Sequence, residues 1–106
     1  MAARYAPLVL PAQLHDMPQD YQSKIPQFDA ITHYTAQHHI NKMTDYFELH
    51  EIDEFDVQMR IFAQTLTRKV KKWFKGINPS SIADLAVFHR LFWNKWEKKK
   101  NPLQIL

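Results

Sequence analysis

The stretch DLAVFHRLFWNKWEKK, residues 84–99, decides the fold class. Leu85, Phe88, Leu91, Phe92, Lys95 and Trp96 recur in it at steps of three and four, the spacing of a core-facing helical stripe. Asp84 stands at its start and Lys98 to Lys100 at its end, so charge complements the helix dipole at both termini. Pro102 stops it, because proline lacks an amide hydrogen and biases its predecessor away from helix.

Upstream, Arg68 to Lys75 forms a shorter helix with Val70, Trp73 and Phe74 on one side and Lys69, Lys71, Lys72 and Lys75 on the other. Gly76 follows and is expected to supply a left-handed cap, after which Asn78, Pro79, Ser80 and Ser81 read as a turn. The second helix is introduced by Asp53 as its cap and runs through Val57, Ile61, Phe62 and Leu66. The first begins near Thr35, a second capping residue, and reaches about Leu49 with Ala36, Ile40, Met43 and Phe47 at helical spacing. Residues 1–32 hold four of the six prolines, at 7, 11, 18 and 26, and read as an extended arm that Ile25 and Phe28 anchor to the helices. The expected architecture is therefore all-α: a small bundle of about four main helices over residues 33–100, preceded by a proline-rich extended arm.

Composition agrees. The single glycine in 106 residues argues against hairpin-rich sheets and glycine-rich phosphate loops, both of which need positive φ or close backbone approach. With 45% apolar and 13% aromatic residues the chain can offset its ordering entropy. The lack of cysteine rules out disulfides, zinc ribbons, zinc knuckles and thiol nucleophiles within this sequence, and suits a reducing compartment. Met1 to Leu14 is too interrupted to form the core of a signal peptide, and no apolar run approaches the roughly 20 residues that cross a bilayer.

The net charge of +3 hides a division of sign. Residues 1–66 carry 4 Lys or Arg against 9 Asp or Glu, net −5, whereas residues 67–106 carry 10 against 2, net +8. Such a polarity fits RNA, an acidic partner, or the acidic half of another copy.

Groups that suggest chemistry read as structural. His38 and His39 are adjacent and therefore point about 100° apart on a helix, whereas paired zinc ligands need a separation near four; His33 lies five residues before His38. Asp53, Glu54 and Asp56 read as solvated charges at a helix start rather than as an acid and base pair. Trp73 and Phe74 share the apolar face of their helix and read as core, leaving the lysines outward and free for nonspecific phosphate contact. No nucleophile, base and stabiliser occur at useful spacing, so neither an enzyme nor a cofactor is expected.

Read in order, Phe28 and Asp29, AQHHI at 36–40, MRIFAQTL at 59–66, VKKWF at 70–74, SSI at 80–82, FHRLF at 88–92 and WEKKKNPL at 96–103 resemble the Gag domain of plant gypsy-class retrotransposons. The resemblance covers about residues 25 to 106. It implies the N-terminal lobe of a capsid, a helical bundle that packs with copies of itself in an intracellular, cytoplasmic particle around element RNA, with the nucleus as the alternative compartment. The expected core signature is Phe62, Leu66, Val70, Trp73, Phe74, Phe88, Phe92 and Trp96; the charge division, not the resemblance, assigns weak, nonspecific RNA contact to Lys69, Lys71, Lys72, Lys75, Lys98, Lys99 and Lys100. Neither a membrane nor a small-molecule substrate is expected. Residues 101–106 would begin a linker toward a second lobe, which in relatives is often followed by a cysteine-rich knuckle. Two departures stand out. Ala30 replaces a frequent glycine, which argues against a positive-φ turn there, and Ala83 is a poor cap for the fourth helix. The alternatives are an RNA-binding module built on the basic face and a domesticated Gag-derived adaptor that holds a peptide between helices.

Overall fold

The computed structural model describes residues 5–19, 21–23, 25–31 and 34–97. Thr35 opens α1 (Ala36–Leu49): its backbone is extended, and its hydroxyl accepts a hydrogen bond from the His38 amide at 3.1 Å, satisfying a donor that every helix start leaves free. At the other end the Ile52 amide donates to the Phe47 carbonyl at 2.9 Å and the Glu51 amide to the Glu48 carbonyl at 3.2 Å, with Glu51 left-handed at φ 54°. This double closure terminates many helices, usually around glycine. Here the two apolar residues that it brings together, Phe47 and Ile52, are both buried.

The second helix, α2 (Phe55–Gln64), starts differently from the sequence expectation. Glu54 is its cap residue and no side chain caps it. Asp53 lies one residue too early to reach the first free amides, so the Asp53 cap is not formed. The helix also ends before Leu66, because the chain there turns to the arm: the Phe28 amide donates to the Thr65 carbonyl at 2.9 Å and the Thr67 amide to the Phe28 carbonyl at 3.0 Å. The resulting parallel bridge, Phe28 to Leu66, buries both residues.

The third helix, α3 (Arg68–Lys75), ends at Gly76 with φ −85°, in the right-handed region. The expected left-handed cap is therefore absent: the Gly76 amide reaches the Lys72 and Trp73 carbonyls and the Ile77 amide reaches Phe74, so the last turn tightens instead of reversing. Ser80, in the following turn, takes the positive φ, at 59°. The last helix, α4 (Leu85–Trp96), is capped by Asp84, whose Oδ1 accepts from the Val87 amide at 2.9 Å, so the weakness expected from Ala83 does not arise. Ala30 contradicts its expectation too. It adopts φ 64° with no glycine present, in a turn where the Asp29 carboxylate accepts from the Ile31 amide at 3.0 Å.

The architecture is an all-α bundle. Packing α4 against both α1 and α2, and α3 against α2, brings the apolar stripes to one core. Phe62 sits at its centre, 4.8 Å from the ring of Phe88 and 5.3 Å from that of Phe92, and Phe74 stacks on Phe88. Of the expected signature, Phe62, Leu66, Val70, Phe74, Phe88 and Phe92 are buried, whereas Trp73 and Trp96 are half-buried and pack edge to face at the rim, 6.0 Å apart. The described residues before α1 hold no α-helix, only 3-10 geometry at Tyr5 and in the turn Tyr21–Ser23, yet they add to the core. Leu8 pairs with Ile82 in a second parallel bridge, and Leu8 and Phe28 are buried among the helices. No helix among the described residues is long and apolar enough to cross a membrane. Lys98 to Lys100 and residues 101–106 lie outside the described residues.

Candidate functional site

Among the described residues, two polar assemblies hold buried titratable groups, and two charged surfaces lie outside. The first assembly joins the arm to α2. Asp56, read from sequence as a solvated helix-start charge, is fully buried. Its carboxylate accepts from the His15 amide at 2.9 Å, faces His15 Nδ1 at 2.8 Å and accepts from the Arg60 guanidinium at 2.9 Å; Arg60 also donates to the His15 carbonyl. Burial pulls the Asp56 carboxyl up, but these donors outweigh it and leave the group below the ordinary carboxylate range. His15 is half-exposed, and its hydrogen bond to Asp56 raises its pKa, with Glu54 adding to the effect from 3.4 Å on the other ring nitrogen.

Ligand atoms of His15, Glu54 and Asp56 lie within 4.8 Å of one another, a spacing that a metal ion could bridge. The donors already on Asp56 argue against that chemistry. A guanidinium 2.9 Å from Oδ2 supplies the positive charge that a cation would bring, and the backbone and imidazole take the remaining lone pairs. The arrangement is a latch that holds the arm.

The second assembly surrounds His39, which is buried in the aromatic core although His38 beside it is exposed. Thr65 Oγ1 donates to the Phe62 carbonyl at 2.6 Å and so accepts from His39 Nε2 at 2.8 Å; Nδ1 then accepts from the Tyr34 hydroxyl at 2.7 Å. These partners define a neutral imidazole protonated on Nε2. Burial pushes its pKa down to about 3. Of the three histidines weighed as ligands, His38 and His39 are thus placed apart, and His33 lies outside the described residues.

On the outside, Lys69, Lys71, Lys72 and Lys75 are all exposed along α3, as their spacing implied. The structure adds Lys95 of α4, because Lys69 Nζ and Lys95 Nζ both stand over the Trp96 ring, 5.7 and 5.6 Å from its centroid. The spacing put Lys95 on the core-facing stripe of α4, but it is exposed, because its position in the three-and-four pattern falls at the rim and its long side chain reaches solvent over Trp96. The opposite surface is the corner between α1 and α2. Asp45, Glu48, Glu51, Asp53 and Glu54 are exposed there, and residues 43–59 contain no Lys or Arg. Leu49 and Phe55 protrude among these carboxylates, 78% and 48% exposed.

A groove of about 320 Å³ runs between α1 and α4, lined by Gln37, Ile40, His89, Arg90, Trp93 and Asn94. Burial holds the His89 imidazole there below its ordinary pKa. No family model, curated protein or solved structure matches the chain.

Proposed function

We propose that this chain is a non-catalytic structural module, a capsid-type bundle of the Gag kind that self-associates through its outer faces in an intracellular, cytoplasmic particle. One observation carries the reading: two sets of polar groups suited to chemistry are engaged with one another, although His89 Nε2 is buried without a partner beside the α1–α4 groove, while contact surface is left outside. His15, Asp56 and Arg60 lock the arm, and Tyr34, His39 and Thr65 lock the core. Leu49 and Phe55 face solvent within a strongly charged rim. Apolar side chains in a polar rim support association between proteins more than they support binding of a small substrate.

Capsid shells gain stability from many weak contacts, and tethering raises the effective concentration to about millimolar. Each contact can therefore be feeble. Sedimentation velocity over a concentration series is expected to show a chain that is mostly monomeric at micromolar concentration and associates as it is concentrated. A chain still monomeric when crowded to millimolar concentration at low salt would overturn the reading.

A second reading, nonspecific RNA binding, is favoured by the convergence of Lys69 and Lys95 on Trp96. Titration against unrelated RNAs is expected to give weak, sequence-insensitive binding that salt reduces steeply. A preference for one sequence that survives high salt would promote RNA binding to the primary role.

A further inference from the structure

The two charged surfaces lie at opposite ends of the bundle. The Glu97 carboxylate accepts from the Gln37 amide at 2.8 Å, which puts the end of α4, and with it Trp96, Lys95 and Lys69, beside the first turn of α1. Leu49 is the last residue of α1. Its 14 residues, at 1.5 Å each, separate the two patches by about 21 Å. The patches do not overlap and cannot meet within one molecule.

Glu54 at the edge of the acidic corner is paired with His15, and Lys42 lines the same groove as Asp45 and Leu49, but the other described charges of the two patches are not paired internally. Among the described residues no salt bridge involves Asp45, Glu48, Glu51 or Asp53, and none involves Lys69, Lys71, Lys72, Lys75 or Lys95. Each patch also presents apolar surface. Leu49 and Phe55 protrude from the acidic corner, while the basic end offers the half-buried rings of Trp73 and Trp96, with Lys69 and Lys72 three residues apart on one side of α3.

We propose that copies of this chain associate head to tail, the acidic α1–α2 corner of one copy, with its Leu49 and Phe55, seated on the basic Trp96 face of the next. Two different patches joined in this way form a heterologous contact, which builds rings or open chains rather than a closed two-fold dimer. The contact is steered and held in register by charge, with the apolar pair at its centre excluding water. The inference rests on the self-association reading and adds its polarity.

The experiment uses the full chain and two surface variants, E48Q/L49S/D53N and K69Q/K72Q/K95Q, each checked for native helicity by circular dichroism. The wild type is expected to associate at low salt and to weaken about tenfold between roughly 50 and 500 mM salt. Each variant alone should stay monomeric at the same concentration. Mixed one to one, they should form a heterodimer in native mass spectrometry and nothing larger, because one keeps a working basic face and the other a working acidic corner. If the wild type associates but the mixture gives no heterodimer, or if either variant associates as well as the wild type, the head-to-tail geometry is wrong and self-association stands. If the wild type fails to associate at any concentration, self-association itself falls and this geometry falls with it.

Discussion

Asp56 illustrates how a single residue joins distant parts of the chain. It caps no helix end; it holds His15, 41 residues away, and Arg60, one turn further along α2. Removing one member of a buried ion pair leaves the other charge without compensation. Asp56→Ala is therefore expected to destabilise the fold by about 3–5 kcal/mol in urea denaturation, and a loss under about 1 kcal/mol would mean that Arg60 finds water instead. His39 makes a prediction about pH. Its folded pKa, about 3, lies below its unfolded value of 6.5, so between those values the unfolded chain binds more protons. Its stabilisation is complete above pH 6.5 and falls as pH is lowered, by about 1.4 kcal/mol per pH unit in that window. The depressed Asp56 carboxyl adds loss in the same direction at the acid end, whereas His15, whose pKa is raised, contributes when protonated and loses its contribution as pH rises through its folded pKa. Denaturant midpoints measured from pH 7 to pH 4 on wild type and His39→Gln should show a steeper decline in the wild type. Equal slopes would show that His39 is not the group responsible.

At the scale of the element, the helix ends carry the surprises. Sequence reading put the left-handed residue at Gly76, but glycine there is right-handed, and the left-handed positions fall on Ala30, Glu51, Arg68 and Ser80. A non-glycine residue in that region costs about 1–2 kcal/mol, because its Cβ crowds the following carbonyl. Glu51→Gly is thus expected to stabilise the protein by about 0.5–1 kcal/mol after the added freedom of the unfolded glycine is subtracted. Gly76→Ala should be neutral or stabilising by up to about 1 kcal/mol, since an added Cβ there would lie 3.5 Å from the Trp73 carbonyl oxygen, an ordinary contact. Thermal melts of the two variants decide both. A large loss in Gly76→Ala would mean that the helix end needs a conformation only glycine adopts. Capping was legible at Thr35 and misread at two other starts: at Asp53, where the cap position depends on how the α1–α2 turn closes, and at the fourth helix, where Asp84 and not Ala83 is the cap.

At the scale of the whole molecule, depth in the core separates the aromatics that the sequence grouped together. Phe92 is fully buried and contacts Phe28 and Phe62, so Phe92→Ala should cost about 3–5 kcal/mol. Trp73 is half-buried at the rim, and Trp73→Ala should cost less, about 1–2 kcal/mol. Comparable losses in urea titration would mean that the rim is as tightly packed as the centre. The sequence by itself determined the helical class, the approximate extents of four helices, the outward lysines of α3 and the sign difference between its halves. These follow from local periodicity and composition, which each segment carries alone. The anchoring of the arm by Phe28 was legible too, but only the tertiary structure decided that Leu8 also completes the core, that Asp56 and His39 are buried and partnered, and that Lys69 and Lys95 both stand over Trp96 at the end of the bundle away from the acidic corner. The contacts that do this include pairs 26 or more positions apart, His15 with Asp56, His39 with Thr65 and Lys69 with Trp96, whose energy exists only once helices and arm have packed.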